Sequence, residues 1–320
     1  MKPTDKTLLI ALCLIIAGAV IFGIALAAGG WDLSALDGVE YRTVTVDIDE
    51  SFTDIAIDTD TEDIAFVPSE DGRCRVVFVE REKEEHSASV KDGVLEIALK
   101  DTRKWYDHFT LFSFKDTKVT VFLPGGGYGK LTIKESTGDI SIPGDYGFES
   151  ADITVSTGDV GLGASVSGLL RVAADTGSIR AEDLSAGEID IKVTTGGVTL
   201  RNVICEGDMA VRVSTGRTNL ANVTCAGFKS AGSTGRIILE NVICADMMEI
   251  ERSTGSVELD RCDAAQIGIR TDTGSVTGTL MSDKVFIARS STGRVDVPET
   301  TSGGECRIFT STGNIIIGIR

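Results

Sequence analysis

Two tripeptides invite a catalytic reading. Asp175-Thr176-Gly177 and Asp272-Thr273-Gly274 both spell the motif that supplies one half of an aspartic-protease dyad. That chemistry needs two carboxylates close enough to share a proton. The two motifs fall five repeats apart, roughly 24 Å if each repeat is one coil of stacked strand, so they cannot form a dyad. They read as Ser-to-Asp variants of a structural corner. Asp139 and Asp159 occupy equivalent places in neighbouring repeats and could present a pair of oxygen ligands to calcium. The next equivalents are Ser178, Gly197, Arg217 and Arg236, so that column ends after two residues. The two histidines, His86 and His108, lie outside the repeat and pair with no nucleophile. No glycine-rich loop follows a strand and opens a helix, so no nucleotide site is expected. The reading assigns no catalytic, cofactor-binding or metal residues and no cofactor.

Seven cysteines make an odd count. Cys205, Cys225 and Cys244 each stand at the same offset after a corner glycine and should share a column. Two readings are open: a disulfide between adjacent coils, whose spacing lies within disulfide Cα range, or a thiol column acting as small core filler. Zinc is disfavoured, because no histidine accompanies them and no Cys-x-x-Cys occurs. The loop from Asp101 to Phe114 concentrates Trp105, Tyr106, Phe109, Phe112 and Phe114, five of the 18 aromatics. It reads either as a lid on the N-terminal end or as an exposed aromatic platform for a protein or cell-envelope glycan. Trp105, Tyr106, Phe109 and Phe112 are the candidate partner-binding residues. The run Glu80 to His86 reads as a solvated charged turn.

The element that must position all of these is a repeat. A Thr-Gly corner recurs with glycine at 138, 158, 177, 196, 216, 235, 255, 274, 293 and 313. A fixed period of roughly 20 residues marks a solenoid, each repeat being one coil stacked on the last. Apolar residues fall seven and five before the glycines and two and four after them, as in Leu131, Ile133, Ile140 and Ile142, with Ser230, Thr218 and Gly278 the exceptions. Alternation by two, rich in β-branched residues, is strand periodicity with one buried face. Glycine suits a corner at positive φ. The threonine before it recurs in all ten corners, and stacked hydroxyls could satisfy neighbouring turn groups. Asn202, Asn222 and Asn241 form a further column that should hydrogen-bond along the rod.

Before residue 131 the pattern is looser. Asp54 to Phe66 looks like a worn copy of the coil without its corner glycine, and Asp92-Gly93 signals a hairpin. A solenoid needs its first coil covered, so residues 39–130 are assigned as a degenerate β cap and 131–320 as the solenoid. The sequence ends soon after the tenth corner with Asn314 to Arg320, which suggests an uncapped edge open to a second copy unless Arg307 and Arg320 blunt it.

The run from Thr7 to Ala28 carries no charge. As a helix it would span roughly 33 Å, enough for a bilayer core. Lys2 and Lys6 precede it, and Asp32, Asp37 and Glu40 follow. This asymmetry predicts residues 1–6 in the cytoplasm, a membrane helix over 7–28, a linker over 29–38 and an extracytoplasmic remainder. Trp31 sits where an interfacial anchor belongs. The competing reading is a signal peptide cleaved near Ala25-Leu26-Ala27. A net charge of −17 and a pI near 4.6 argue against nucleic acid and anionic lipid as partners.

The segment Val119 to Pro124, then Leu131-Thr132-Ile133, then Ser136-Thr137-Gly138-Asp139-Ile140 resembles the DUF4097 family of adhesin candidates. With the repeated corners, the resemblance covers about residues 40 to 320. It implies a membrane-anchored or secreted bacterial β-solenoid, in some cases an accessory to envelope-stress systems such as Lia. It implies no catalytic residue, since the family has none agreed. The expectation is an all-β parallel solenoid of about ten coils, non-enzymatic, serving adhesion, scaffolding or envelope-stress sensing. The alternative is a glycan-processing β-helix lyase or hydrolase, which would need an exposed carboxylate cluster on one face.

Overall fold

The structure is a computed structural model that describes residues 3–28, 41–81, 84–101 and 117–320. It contains one helix, α1 (Pro3–Ala28), and 27 strands joined into a single sheet. The side chains described in α1 are those of residues 11–18, 20–24 and 27, and nearly all are exposed, Leu14, Ile15 and Ile21 among them. Among the described residues no helix is long and apolar enough to cross a membrane.

From Gly126 to Leu280 the strands wind as the repeat demands. Each pairs in parallel with its equivalent one period away: Ile133 opposite Ile153, Ile153 opposite Val172, Val172 opposite Ile191. The same side chains are fully buried, so the core is one continuous apolar column. Each buried aliphatic contributes roughly 1.5–3 kcal/mol relative to exposure. The corner glycines have φ between 140° and 159°. At Gly235 an added Cβ would overlap the carbonyl of Gly216, so the turn needs glycine on both counts. The turn amides are satisfied by backbone: Gly158 N donates to Thr176 O at 2.9 Å and Gly177 N to Thr195 O at 3.0 Å. The corner threonines face solvent, so the expected hydroxyl ladder is not what holds the turn.

A second corner closes each middle coil. Asp183, Asn202, Asn222, Asn241 and Arg261 all have φ between 51° and 56°, a left-handed conformation that asparagine and aspartate tolerate best. Their side chains form the predicted ladder, with Asn241 donating to Asn222 at 3.0 Å, Asn222 to Asn202 at 2.9 Å and Asn202 to Asp183 at 2.7 Å.

At both ends, stacking order departs from chain order. Near the N-terminus the strands are β1 (Tyr41–Ile48), β2 (Asp54–Thr59), β3 (Glu62–Pro68), β4 (Cys74–Arg81), β5 (Glu84–Lys91), β6 (Val94–Asp101), β7 (Thr117–Leu123), β8 (Gly126–Thr137) and β9 (Ile140–Ile142). The worn copy β2–β3 is a coil in register, with Ile57 opposite Ile133 and Ile64 opposite Ile140. The stack therefore continues below residue 131. β6 and β7 form the next coil outward, pairing Ile97 with Ile57 and Val119 with Ile64. Antiparallel strands finish this end: β4 on β7, β1 on β4, and β5 on β6 through a hairpin with Asp92 at φ 51° and Gly93 at φ 79°.

At the distal end the strand Gly304–Thr312 lies between Gln266–Thr273 and Lys284–Thr292, so Ile308 faces Ile269 on one side and Ala288 on the other. Ile315–Ile319 is likewise flanked by Val276–Leu280 and Val295–Asp296. This corrects the expectation that Asn314 to Arg320 is the open edge. Ile315 and Ile317 are buried, Arg320 N donates to Leu280 O, and the outermost coil is 284–296. Alternating Ile315 and Ile317 gain more from a sandwiched position, whereas the outer coil carries Arg289, Arg294 and Asp296.

Candidate functional site

The residues first suspected of chemistry are occupied with structure. Asp139 Oδ1 accepts the amide of Asp159 at 2.7 Å, and Asp159 Oδ1 accepts that of Ser178 at 2.8 Å. Asp63 does the same for Asp139 at 2.9 Å, one coil earlier. The column is thus a string of turn caps. Arg180, at 2.9 Å, helps hold the Asp159 carboxyl below its ordinary range despite partial burial. Asp175 and Asp272 sit on exposed corners five coils apart, far from any shared proton. Among the described residues no group of three or more His, Cys, Asp or Glu side chains is placed to hold a metal ion. Trp105, Tyr106, Phe109 and Phe112 lie outside the described residues.

Glu80 and His86, the two ends of the run expected to be a solvated turn, are not solvated. Glu80 and the His86 ring are buried, with Glu62 beside them. His86 Nδ1 lies 2.8 Å from Glu80 Oε2, and Nε2 lies 3.3 Å from Glu62 Oε1. Glu62 also accepts the amides of Asp60 and Thr61, Arg42 binds Glu80 at 2.7 Å, and Phe78 stacks on the imidazole. Burial opposes the charged imidazole, but its bonds to Glu62 and Glu80 win and raise its pKa. Burial likewise opposes the Glu62 carboxylate, yet His86 and the two amides hold its pKa down. Glu135, bonded to Thr59 and near Glu62, is pushed up to about 7, chiefly by burial. This cluster ties β1, β3, β4 and β5 together, and its alternating sequence hid it: charged residues at inward positions look like solvated ones.

Two open troughs mark the flank. One, of about 700 Å³, is lined by Phe52 and Tyr128 with Asp54, Glu149, Ser165 and Ser167. Phe52 and Tyr128 stack with ring centroids 6.1 Å apart, and Tyr128 also meets Tyr146 and Phe148. Outward positions on successive coils are Gly127, Gly147, Ser165 and Ser185, which leave the trough without bulk. Among the described residues no cationic side chain lines it. The bracket Gly127-Tyr128-Gly129 was the available sequence signal. The second trough, about 560 Å³, is crossed by the ion pairs Arg212–Asp190 and Lys229–Glu249.

The cysteines are free thiols, buried apart from exposed Cys13. One core residue stands out. Arg252 is 4% exposed and reaches Val213 O, Thr218 Oγ1 and Ser230 Oγ at 3.1–3.3 Å through the gap left by Gly232. No carboxylate pairs with it among the described residues, and burial lowers its pKa to about 10.

No curated protein sequence matches the chain. Among solved structures, a candidate adhesin from Bacteroides fragilis is similar at 15% identity, covering 87% of this chain and 97% of its own, with a TM-score of 0.40. A candidate adhesin from Parabacteroides distasonis gives 13%, 87%, 98% and 0.45. A candidate lipid-binding protein from the same species gives 13%, 75%, 94% and 0.30. Likeness at this level transfers no site and no ligand. Residues 52–224, more than half of the 320, match the family described as Toastrack DUF4097, and the chain belongs to that family.

Proposed function

We propose that this protein is a non-enzymatic surface module, a stiff rod held at the membrane by α1 that presents a binding flank for adhesion or scaffolding. The single observation that carries the reading is the trough at Phe52 and Tyr128. Aromatic faces beside carboxylates and hydroxyls, without cations, suit the apolar and hydroxyl faces of an uncharged cell-envelope glycan. The same design serves an envelope-stress accessory, in which occupancy of the flank is the sensed event. The test is co-sedimentation of the full chain, in detergent, with insoluble cell-wall glycan. The Phe52→Ala/Glu149→Ala variant should lose binding while keeping its fold. Equal retention of both proteins would remove the trough from the reading. A Trp105→Ala/Tyr106→Ala/Phe109→Ala/Phe112→Ala variant asks the same of the aromatic loop, whose partner would be a protein or glycan.

Anchoring rests on the uncharged run Thr7 to Ala28 in the sequence and on the exposed apolar side chains described along α1, not on the described part of the helix being by itself long and apolar enough to span. Residues 1–6 would then face the cytoplasm and the solenoid the outside. Protease added to intact cells should degrade the solenoid, and alkaline carbonate should leave the chain with the membrane. Release by carbonate would exclude a spanning anchor. End-to-end association of two copies, if it occurs, belongs at the open coil 284–296, where Val285, Ile287 and Val295 are exposed.

A further inference from the structure

We propose that Cys225 and Cys244 are a redox pair that closes into a disulfide between two neighbouring coils. The two residues are direct partners in the parallel register of Thr218–Cys225 and Ile237–Cys244. Their Sγ atoms lie 3.4 Å apart in the reduced form described here, both buried. Paired strands stand about 4.8 Å apart, inside the Cα range that a disulfide spans. Bond formation at about 2.05 Å asks the sulfurs to close by about 1.4 Å.

The neighbouring thiols point elsewhere. Cys205 Sγ turns to the carbonyls of Gly207 and Asp208 at 3.4 and 3.5 Å, and Cys262 Sγ to that of Leu239 at 3.4 Å. Cys225 and Cys244 instead meet each other. Their mutual hydrogen bond lowers the Cys225 pKa and raises that of Cys244, which burial raises further. Either sulfur can donate in that contact, so either thiolate can attack first.

The oxidant is a small-molecule disulfide. The thiolate of one of the two cysteines attacks one of its sulfurs, the reagent S–S bond breaks and one reagent thiolate leaves. The other cysteine, deprotonated, then attacks the protein sulfur of the mixed disulfide and expels the second reagent thiolate. The two protein thiols give up two protons and two electrons, and the reagent disulfide becomes two thiols. Because both sulfurs are buried, the exchange takes place while these coils are open, during folding or local opening. The inference stands on the register and the sulfur contact and does not depend on the glycan or membrane readings.

The test is a thiol count on the full chain. The reduced protein is unfolded, refolded with oxidised glutathione, quenched in acid, denatured, alkylated and weighed. Five alkylated cysteines instead of seven, with peptide mapping that links residues 225 and 244, is the expected result. Cys205→Ser and Cys262→Ser should still lose two thiols, whereas Cys225→Ser and Cys244→Ser should retain all six of theirs. Seven alkylated cysteines at every glutathione ratio, or a map that links another pair, would overturn the proposal. The wild-type map is decisive by itself, so a variant that fails to fold leaves the test intact.

Discussion

The two ends of the rod solve one problem differently. Both place a coil out of chain order: β6–β7 lies beyond β2–β3, and 284–296 lies beyond 304–319. Only the N-terminal end goes further, covering that coil with antiparallel strands around the buried Glu62–His86–Glu80 cluster. Among the described residues no strand pairs with the outer edge of the distal coil, and Phe286, Ala288 and Val297 are only partly buried. An open edge of repeating coils is a template for more strand. Among the described residues, one end of this rod is thus covered, and the other has a strand edge with no neighbour.

The asymmetry can be broken from the finished end. His86→Ala leaves two buried carboxylates facing a gap, and removing one partner of a buried charge pair costs about 3–5 kcal/mol. Urea denaturation should show that loss, whereas Ile287→Ala at the open end should stay within about 0.5 kcal/mol of the wild type. The middle of the rod gives a contrast in sign. Arg252 is buried without an acid, so Arg252→Met should be neutral or stabilise by about 1–4 kcal/mol, read as a rise in Tm. A clear fall would show that its three oxygen partners outweigh its desolvation.

The pH response should separate the ends as well. His86 has a raised pKa, so its contribution is complete below the ordinary histidine value and is lost as pH rises through the elevated one. Glu62 has a lowered pKa, so its contribution is complete above the ordinary glutamate value and is lost as pH falls through the depressed one. Between these limits the N-terminal cover is most stable. Ionisation of Glu135 above about 7 adds a further carboxylate beside Glu62 and loosens the cover on the alkaline side. Hydrogen exchange, corrected for intrinsic rate, should show β4–β7 amides losing protection at high pH before those of the coil 284–296. The smallest effect on stability is expected for Ile287→Lys, within about 0.5 kcal/mol. The same change should abolish any concentration-dependent association seen by light scattering, and a wild type that stays monomeric throughout would close the open-edge reading.

The middle of the rod was legible because one local rule repeats: each buried position recurs one period later, so periodicity and packing coincide. The asparagine column was readable for the same reason, although its left-handed corner was not. The ends escaped because stacking order there is decided by long-range burial. Nothing local in Val295 or Ile315 says which of the two lies outside. Glu80 and His86 were misread because solvation was inferred from charge, while their inward register was set by pairing with strands far away. The trough was missed for a simpler reason: Phe52 and Tyr128 are distant in the chain and meet only because β2 stacks on β8.

The out-of-order coils also set a schedule for folding. In the middle of the rod a contact closes one period, a chain separation of 19 between Asn222 and Asn241. Where β8 reaches back to β2 the separation is 76, as between Thr59 and Glu135. The wider closure costs about 1.2 kcal/mol more in chain entropy. At the distal end, 304–319 is synthesised after 284–296 yet must lie beneath it, so the earlier coil has to wait or be displaced. The interior coils can therefore zip locally and early, while both ends are sealed late. A chain stopped at residue 303 would leave 284–296 free to settle on 266–280 one place too soon, which hydrogen exchange on arrested chains would reveal as premature protection.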